Sequence, residues 1–102
     1  MLRSLMLTTA LTMAAPWAQA QDTHLARNLA ATCANCHGTN GRVQGSEVKA
    51  LAGLPAARIA AAMTDFKSGA APASIMHQIA KGYSDEQVRL IAAYFAAQQP
   101  GK

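Results

Sequence analysis

The sequence holds two cysteines, Cys33 and Cys36, and a histidine directly follows the second, giving Cys33-Ala34-Asn35-Cys36-His37. In an exported chain, C-x-x-C-H is the attachment signature of c-type haem. Two thiols about one helical turn apart can add to vinyl groups on neighbouring pyrroles and form thioethers. The next residue then lies under the iron, where a neutral imidazole nitrogen binds as the proximal ligand. A chain with this motif must fold around a flat macrocycle, and one motif predicts one haem. The rival readings are weaker. A thioredoxin-like redox pair wants a βαβ context, and no alternating strand pattern surrounds these residues. Zinc needs four ligands, and only His24 and His77 remain to supply them. A bridge this local removes little chain entropy as a structural disulfide.

Export is itself legible. Residues 1–20 have the form of a secretory signal peptide: a short basic start at Arg3, an apolar run from Leu5 to Ala15, then Pro16 and the small-x-small pattern Ala18-Gln19-Ala20. The run falls short of the roughly 20 residues of a spanning helix. The mature chain is therefore expected to be residues 21–102, in the periplasm, as a single small domain.

Composition shows why such a chain needs its cofactor. The full sequence is 51% hydrophobic with 24 alanines. The expected mature part keeps 19 alanines against 18 larger apolar residues, and no tryptophan. A domain this small is marginal on its own burial and needs a staple. Eight basic against five acidic residues in that part leave a modest positive charge. With no basic cluster and no interleaved aromatics, nucleic acid is excluded as a partner class. Arg42, Lys49, Lys67 and Lys81 are the candidates for a basic docking rim, with ordinary solvated charge as the alternative.

Periodicity predicts helices and turns only. A first helix runs from about Thr23 into the Cys33 turn, with Leu25, Leu29 and Cys33 at i, i+4 and i+8. The stretch from His37 to Gly53 reads as turn and loop. Pro55 at a first helical position opens a middle helix with Ile59, Met63 and Phe66 on one face, ended at Ser68-Gly69. A short segment after Pro72 carries Ile75, Met76 and Ile79 and closes at Gly82. Ser84 and Gln87 form a capping box for a last helix burying Val88, Ile91, Ala92 and Phe95.

An electron carrier closes both axial positions of its haem, and a thioether raises the potential. Met63 lies mid-stripe and reads as core. Met76, about forty residues after His37 beside a turn-rich stretch, is the preferred distal ligand. His77 competes, but adjacent helical residues point about 100° apart, so only one of the pair faces the metal. His77 is then expected to face solvent, and His24 to be exposed near the first helix start.

Cys33 to Gly41, reading CANCHGTNG, with Leu51-Ala52-Gly53, resembles a class I cytochrome c. The stretches Asp65-Phe66-Lys67-Ser68-Gly69 and Ser74 to Gln87, reading SIMHQIAKGYSDEQ, are similar to the cytochrome subunit of flavocytochrome c sulfide dehydrogenase and to related small periplasmic monohaem cytochromes. The resemblance covers essentially the whole mature chain. It implies an all-α fold, small and wrapped around one covalent haem, with first and last helices crossing. It places the distal ligand on Met76 through the pattern I-M-x-x-I-A-K-G-Y. It also implies a one-electron carrier partnered by a flavoprotein subunit, or a free carrier between a respiratory complex and a terminal reductase or oxidase. No carboxylate pair or nucleophile–base set suggests catalysis by the chain. A haem sensor or peroxidase-like enzyme requires an open sixth position.

One position departs from the family. Many relatives have a proline two residues before Leu-Ala-Gly whose carbonyl accepts the proximal histidine's proton; here Lys49 stands there. Any residue supplies a carbonyl, so the bond can persist on a less rigid loop. Lys49→Pro is expected to raise the melting temperature of the haem-loaded protein; an unchanged or lower one counts against this reading.

Overall fold

The computed structural model describes residues 24–101; the expected signal peptide and the first residues after it lie outside them. Five α-helices carry the described chain: α1 Leu25–Ala31, α2 Ala34–His37, α3 Ala56–Ser68, α4 Met76–Lys81 and α5 Asp85–Ala96. A single 3₁₀ turn at Thr39–Gly41 follows α2. There is no strand among the described residues. None of the described helices is long and apolar enough to cross a membrane. The all-α expectation holds.

Most helix boundaries follow from local chemistry. Ser84 and Gln87 form the expected capping box: the Ser84 hydroxyl accepts from the Gln87 N–H, and the Gln87 side chain accepts from the Ser84 N–H. Gly69 ends α3 in the left-handed conformation, at φ 84°, where a Cβ is penalised. Other details differ. Pro55 is the N-cap of α3, with ψ 133°, and Ala56 is the first helical residue. Gly82 caps α4 at φ −77°, so the short helix closes without a left-handed residue. The first helix is interrupted at Thr32 and Cys33, although both keep helical dihedrals. There the Cys33 N–H reaches only to Ala30 O, while His37 N–H returns to Cys33 O. The attachment segment thus continues α1 with one tightened turn.

Helix α5 is the hub, packing against α1 on one side and α3 on another, while α4 lies on α3. Contact between the first and last helices is as the family resemblance implies. Ala30, Ile59, Ile91, Ala92 and Phe95 form one buried cluster, and Met63, Ala80 and Val88 a second. The four residues expected inside α5 are all buried. On α1 the buried residue is Ala30, in place of the expected leucine stripe. Leu29 and Cys33 only flank the cluster, and Leu25 is exposed. Alanine at the contact lets α1 approach α5 closely, leaving the larger side chains at its margins.

The long loop is fastened at its ends. Gly41 O accepts from the N–H groups of both Leu51 and Ala52, and the Gly53 N–H donates to Phe95 O. Gly41 is buried with φ 77°, and a Cβ there would stand 2.8 Å from Ala52 N and 2.9 Å from Phe95 Cδ1. Left-handed strain and overpacking act together, so Gly41→Ala is expected to cost about 2–4 kcal/mol in chemical unfolding of the haem-loaded protein. A loss within the error of the measurement would show that the loop adapts freely.

Candidate functional site

A cavity of about 970 Å³ opens between the helices, walled by residues of the α1–α2 junction, the long loop, α3, α4 and the α4–α5 connection. Its size is at the upper end of cofactor pockets, about 300–1,000 Å³. The walls are largely hydrocarbon: Leu51, Leu54, Ile59, Phe66, Ile79 and Ile91 among others. Cys33, Cys36 and His37 line it, and so does Met76, the first residue of α4. The sequence-predicted residues are therefore gathered at one site although they are far apart in the chain. His77 is absent from the cavity wall, in agreement with the 100° separation of neighbours on a helix.

The helical turn sets the cysteines. Cys33 is half-buried and Cys36 exposed, and no disulfide joins them. Burial pushes the Cys33 thiol above its ordinary value, opposed by hydrogen bonding with the Thr32 side chain and the Cys33 backbone. His37 Nδ1 lies 2.6 Å from the carbonyl oxygen of Lys49. A carbonyl only accepts, so Nδ1 carries the proton, and in a neutral imidazole the lone pair is then on Nε2. The bond expected from the resemblance is present even though no proline stands at 49. The Gly41 and Gly53 backbone bonds that fasten Leu51, Ala52 and Gly53 hold the segment instead.

The remaining expectations sort differently. Met63 is buried in the second cluster and also faces the cavity, so core and site are the same surface there. His24 is exposed, as expected. His77 is half-buried, and its Nδ1 is shielded without a hydrogen-bond partner; this corrects the solvent-facing expectation. Packing of the short α4 onto α3 explains how a residue turned from the cavity still loses access to water. Among the described residues no three His, Cys, Asp or Glu side chains gather as a metal cage. The donors present, imidazole and sulfur in an apolar pocket, suit a soft or borderline metal held in a cofactor.

The four cations do not make a free rim. Arg42 Nε donates to Gln99 O at 2.6 Å. Lys67 Nζ donates to Tyr83 O at 2.5 Å and lies 3.8 Å from Asp85 Oδ1. Only Lys49 and Lys81 of the four are exposed. No sequence signal marked Lys67 as a clamp, since its acceptor is a backbone carbonyl 16 residues away. Nor did periodicity single out Tyr83, whose hydroxyl lies 2.7 Å from Thr32 Oγ1, or Arg58, an exposed cation on the cavity wall.

The chain is similar to the cytochrome subunit of sulfide dehydrogenase from Chlorobaculum tepidum, with 40% identity over 67 residues, 66% of this chain and 60% of that protein. The match thus spans less than two thirds of that relative's length. It is also similar to cytochrome c-554(548) from Halomonas halodenitrificans, with 32% identity over 71 residues, 67% of this chain and 86% of that protein. No protein-family model matches the chain.

The clamp reading of Lys67 has a direct check. Lys67→Met removes a charge-assisted hydrogen bond and is expected to cost about 1–2 kcal/mol in a thermal melt of the haem-loaded protein. Lys81→Met is expected to change it by less than about 0.5 kcal/mol. Equal effects of the two substitutions would contradict the clamp.

Proposed function

The chain belongs to the small class I cytochromes c, electron carriers that hold haem c, and from this premise we propose a periplasmic monohaem carrier that passes one electron at a time to and from protein partners. The observation that carries the proposal is the meeting of Cys33, Cys36, His37 and Met76 in one apolar cavity. The donor set fits a covalent c-type haem: two thiols at the attachment spacing, an imidazole with Nε2 free, and a thioether sulfur. When bound, the haem supplies reversible one-electron chemistry at its iron.

Each residue then has a task. Cys33 and Cys36 fix the cofactor through thioethers, so its orientation is set by α2. His37 would hold the iron through Nε2, its tautomer and ring orientation fixed by the Lys49 carbonyl. Met76 is the distal ligand, a soft donor that favours the reduced state. Leu51, Leu54, Ile59, Phe66, Ile79 and Ile91 exclude water. If His37 and Met76 both held the iron, no coordination place would remain for a substrate, and the chain would work by tuning a potential.

Two partner arrangements follow. The first is a cytochrome subunit held by a flavoprotein that oxidises sulfide, supported by the likeness to the Chlorobaculum tepidum protein. The second is a free carrier between a respiratory complex and a terminal reductase or oxidase, supported by the fuller coverage of cytochrome c-554(548), whose name includes no partner. Co-purification from the native source separates them. A flavin-containing complex is expected on the first reading, and elution of the small haem protein alone sinks it.

The ligand assignment is tested by absorption of the oxidised protein from a host able to attach haem. A weak near-red sulfur-to-iron band is expected, and it should vanish in Met76→Ala. Its absence from the parent protein would overturn ligation by Met76. Ready carbon monoxide binding to the ferrous protein at neutral pH would instead favour a sensor or peroxidase-like role.

A further inference from the structure

Tyr83 stands between α4 and α5 and is half-buried. It packs against both buried clusters, and its side chain lines the cavity. Its hydroxyl meets Thr32 Oγ1 at 2.7 Å, across 51 residues of sequence. Thr32 Oγ1 in turn donates to Leu29 O at 3.3 Å. Either hydroxyl can donate in the bond between Tyr83 and Thr32. The backbone carbonyl of Tyr83 accepts from Lys67 Nζ of α3. Three parts of the chain therefore converge on one residue: the segment just before Cys33, α3, and the end of the helix that begins with Met76.

Helix α4 is otherwise held by its packing on α3. It is six residues long and has no side-chain cap at its start. Ile75, immediately before Met76, is 56% exposed. Met76 itself packs against the second cluster, and the other end of the helix is anchored by Ala80, fully buried, and by Tyr83 beyond it. A short helix fixed at one end transmits that fixation to its first residue.

We propose that the Tyr83–Thr32 hydrogen bond is a latch that holds α4, and with it Met76, against the haem-attachment segment. Tyr83 is a positioning residue: it acts through Met76 and touches no ligand atom itself. The inference rests on the proposed ligation by Met76. Opening the latch lets Met76 leave its position more often, with the ligand set unchanged. A small added ligand competing for the distal place reads that event directly.

The test is an absorption titration of the oxidised haem-loaded protein with imidazole. Tyr83→Phe keeps the ring and removes the hydroxyl, and should tighten imidazole binding roughly three- to ten-fold, the weight of one hydrogen bond. Thr32→Val should do the same, and the double variant should gain no more than either single one, because the bond to Tyr83 is the one that both substitutions remove. Thr32→Ser keeps the hydroxyl and should retain the parent affinity. If the near-red band is missing from the parent, ligation by Met76 falls and the latch falls with it. If the band is present, unchanged affinity in both single variants overturns the latch alone. So does a double variant whose gain is the product of the two.

Discussion

Both small clusters of buried side chains border one cavity, Ile59 and Ile91 from the first and Met63 from the second. Nine hydrophobic residues are buried among the described residues, and four of them are alanine. Alanine removes little apolar surface from water, so these clusters contribute modestly. Many larger side chains, among them Leu51, Leu54, Phe66 and Ile79, are only partly buried and turn towards the cavity. Their hydrophobic stabilisation would be completed against the macrocycle of a bound haem. The alanine-rich helices are suited to this: α1 packs on α5 through Ala30 and Ala92, and a macrocycle would supply flat aromatic mass to a chain with few aromatics.

The same arrangement delivers the chemistry. Helix α5 is fixed by its capping box and buried face, and the Phe95 carbonyl at its far end takes the Gly53 N–H. Gly41 binds Leu51 and Ala52 from the other side. The segment that ends at Lys49 is thereby presented to His37, and one backbone carbonyl sets which imidazole nitrogen is free. On the other wall, α3 holds α4, and α4 presents Met76. The placement of His37 and Met76 is thus a consequence of helix packing, and the charged surface has a smaller part than the sequence suggests. Arg42 and Lys67 use their charge inside the molecule, on the carbonyls of Gln99 and Tyr83.

Much of this was readable in the residues because it obeys short-range rules. The α5 boundaries and buried face follow from Ser84, Gln87 and a 3.6-residue repeat, and α3 follows from Pro55, Gly69 and its apolar face. The attachment motif is local by nature. The misses are tertiary. Leu25 and Leu29 have the spacing of a buried stripe, yet a tight α1–α5 contact selects Ala30. His77 has nothing in its sequence neighbourhood that foretells shielding, which comes from α4 lying on α3. Tyr83 to Thr32 and Lys67 to Tyr83 are long-range bonds to groups that every sequence offers everywhere. The lysine at 49 looked like the loss of a rigid proline, but the backbone bonds around Gly41 were invisible to composition.

The central claim is that this fold is completed by its cofactor. Its most direct measurement is the far-UV circular dichroism of the haem-free chain from Gln21 to Lys102, recorded beside the haem-loaded protein. The account predicts a largely unfolded haem-free chain, with little helical signal and no cooperative melt. A haem-free chain with the helical content of the loaded protein and a cooperative transition of its own would contradict it.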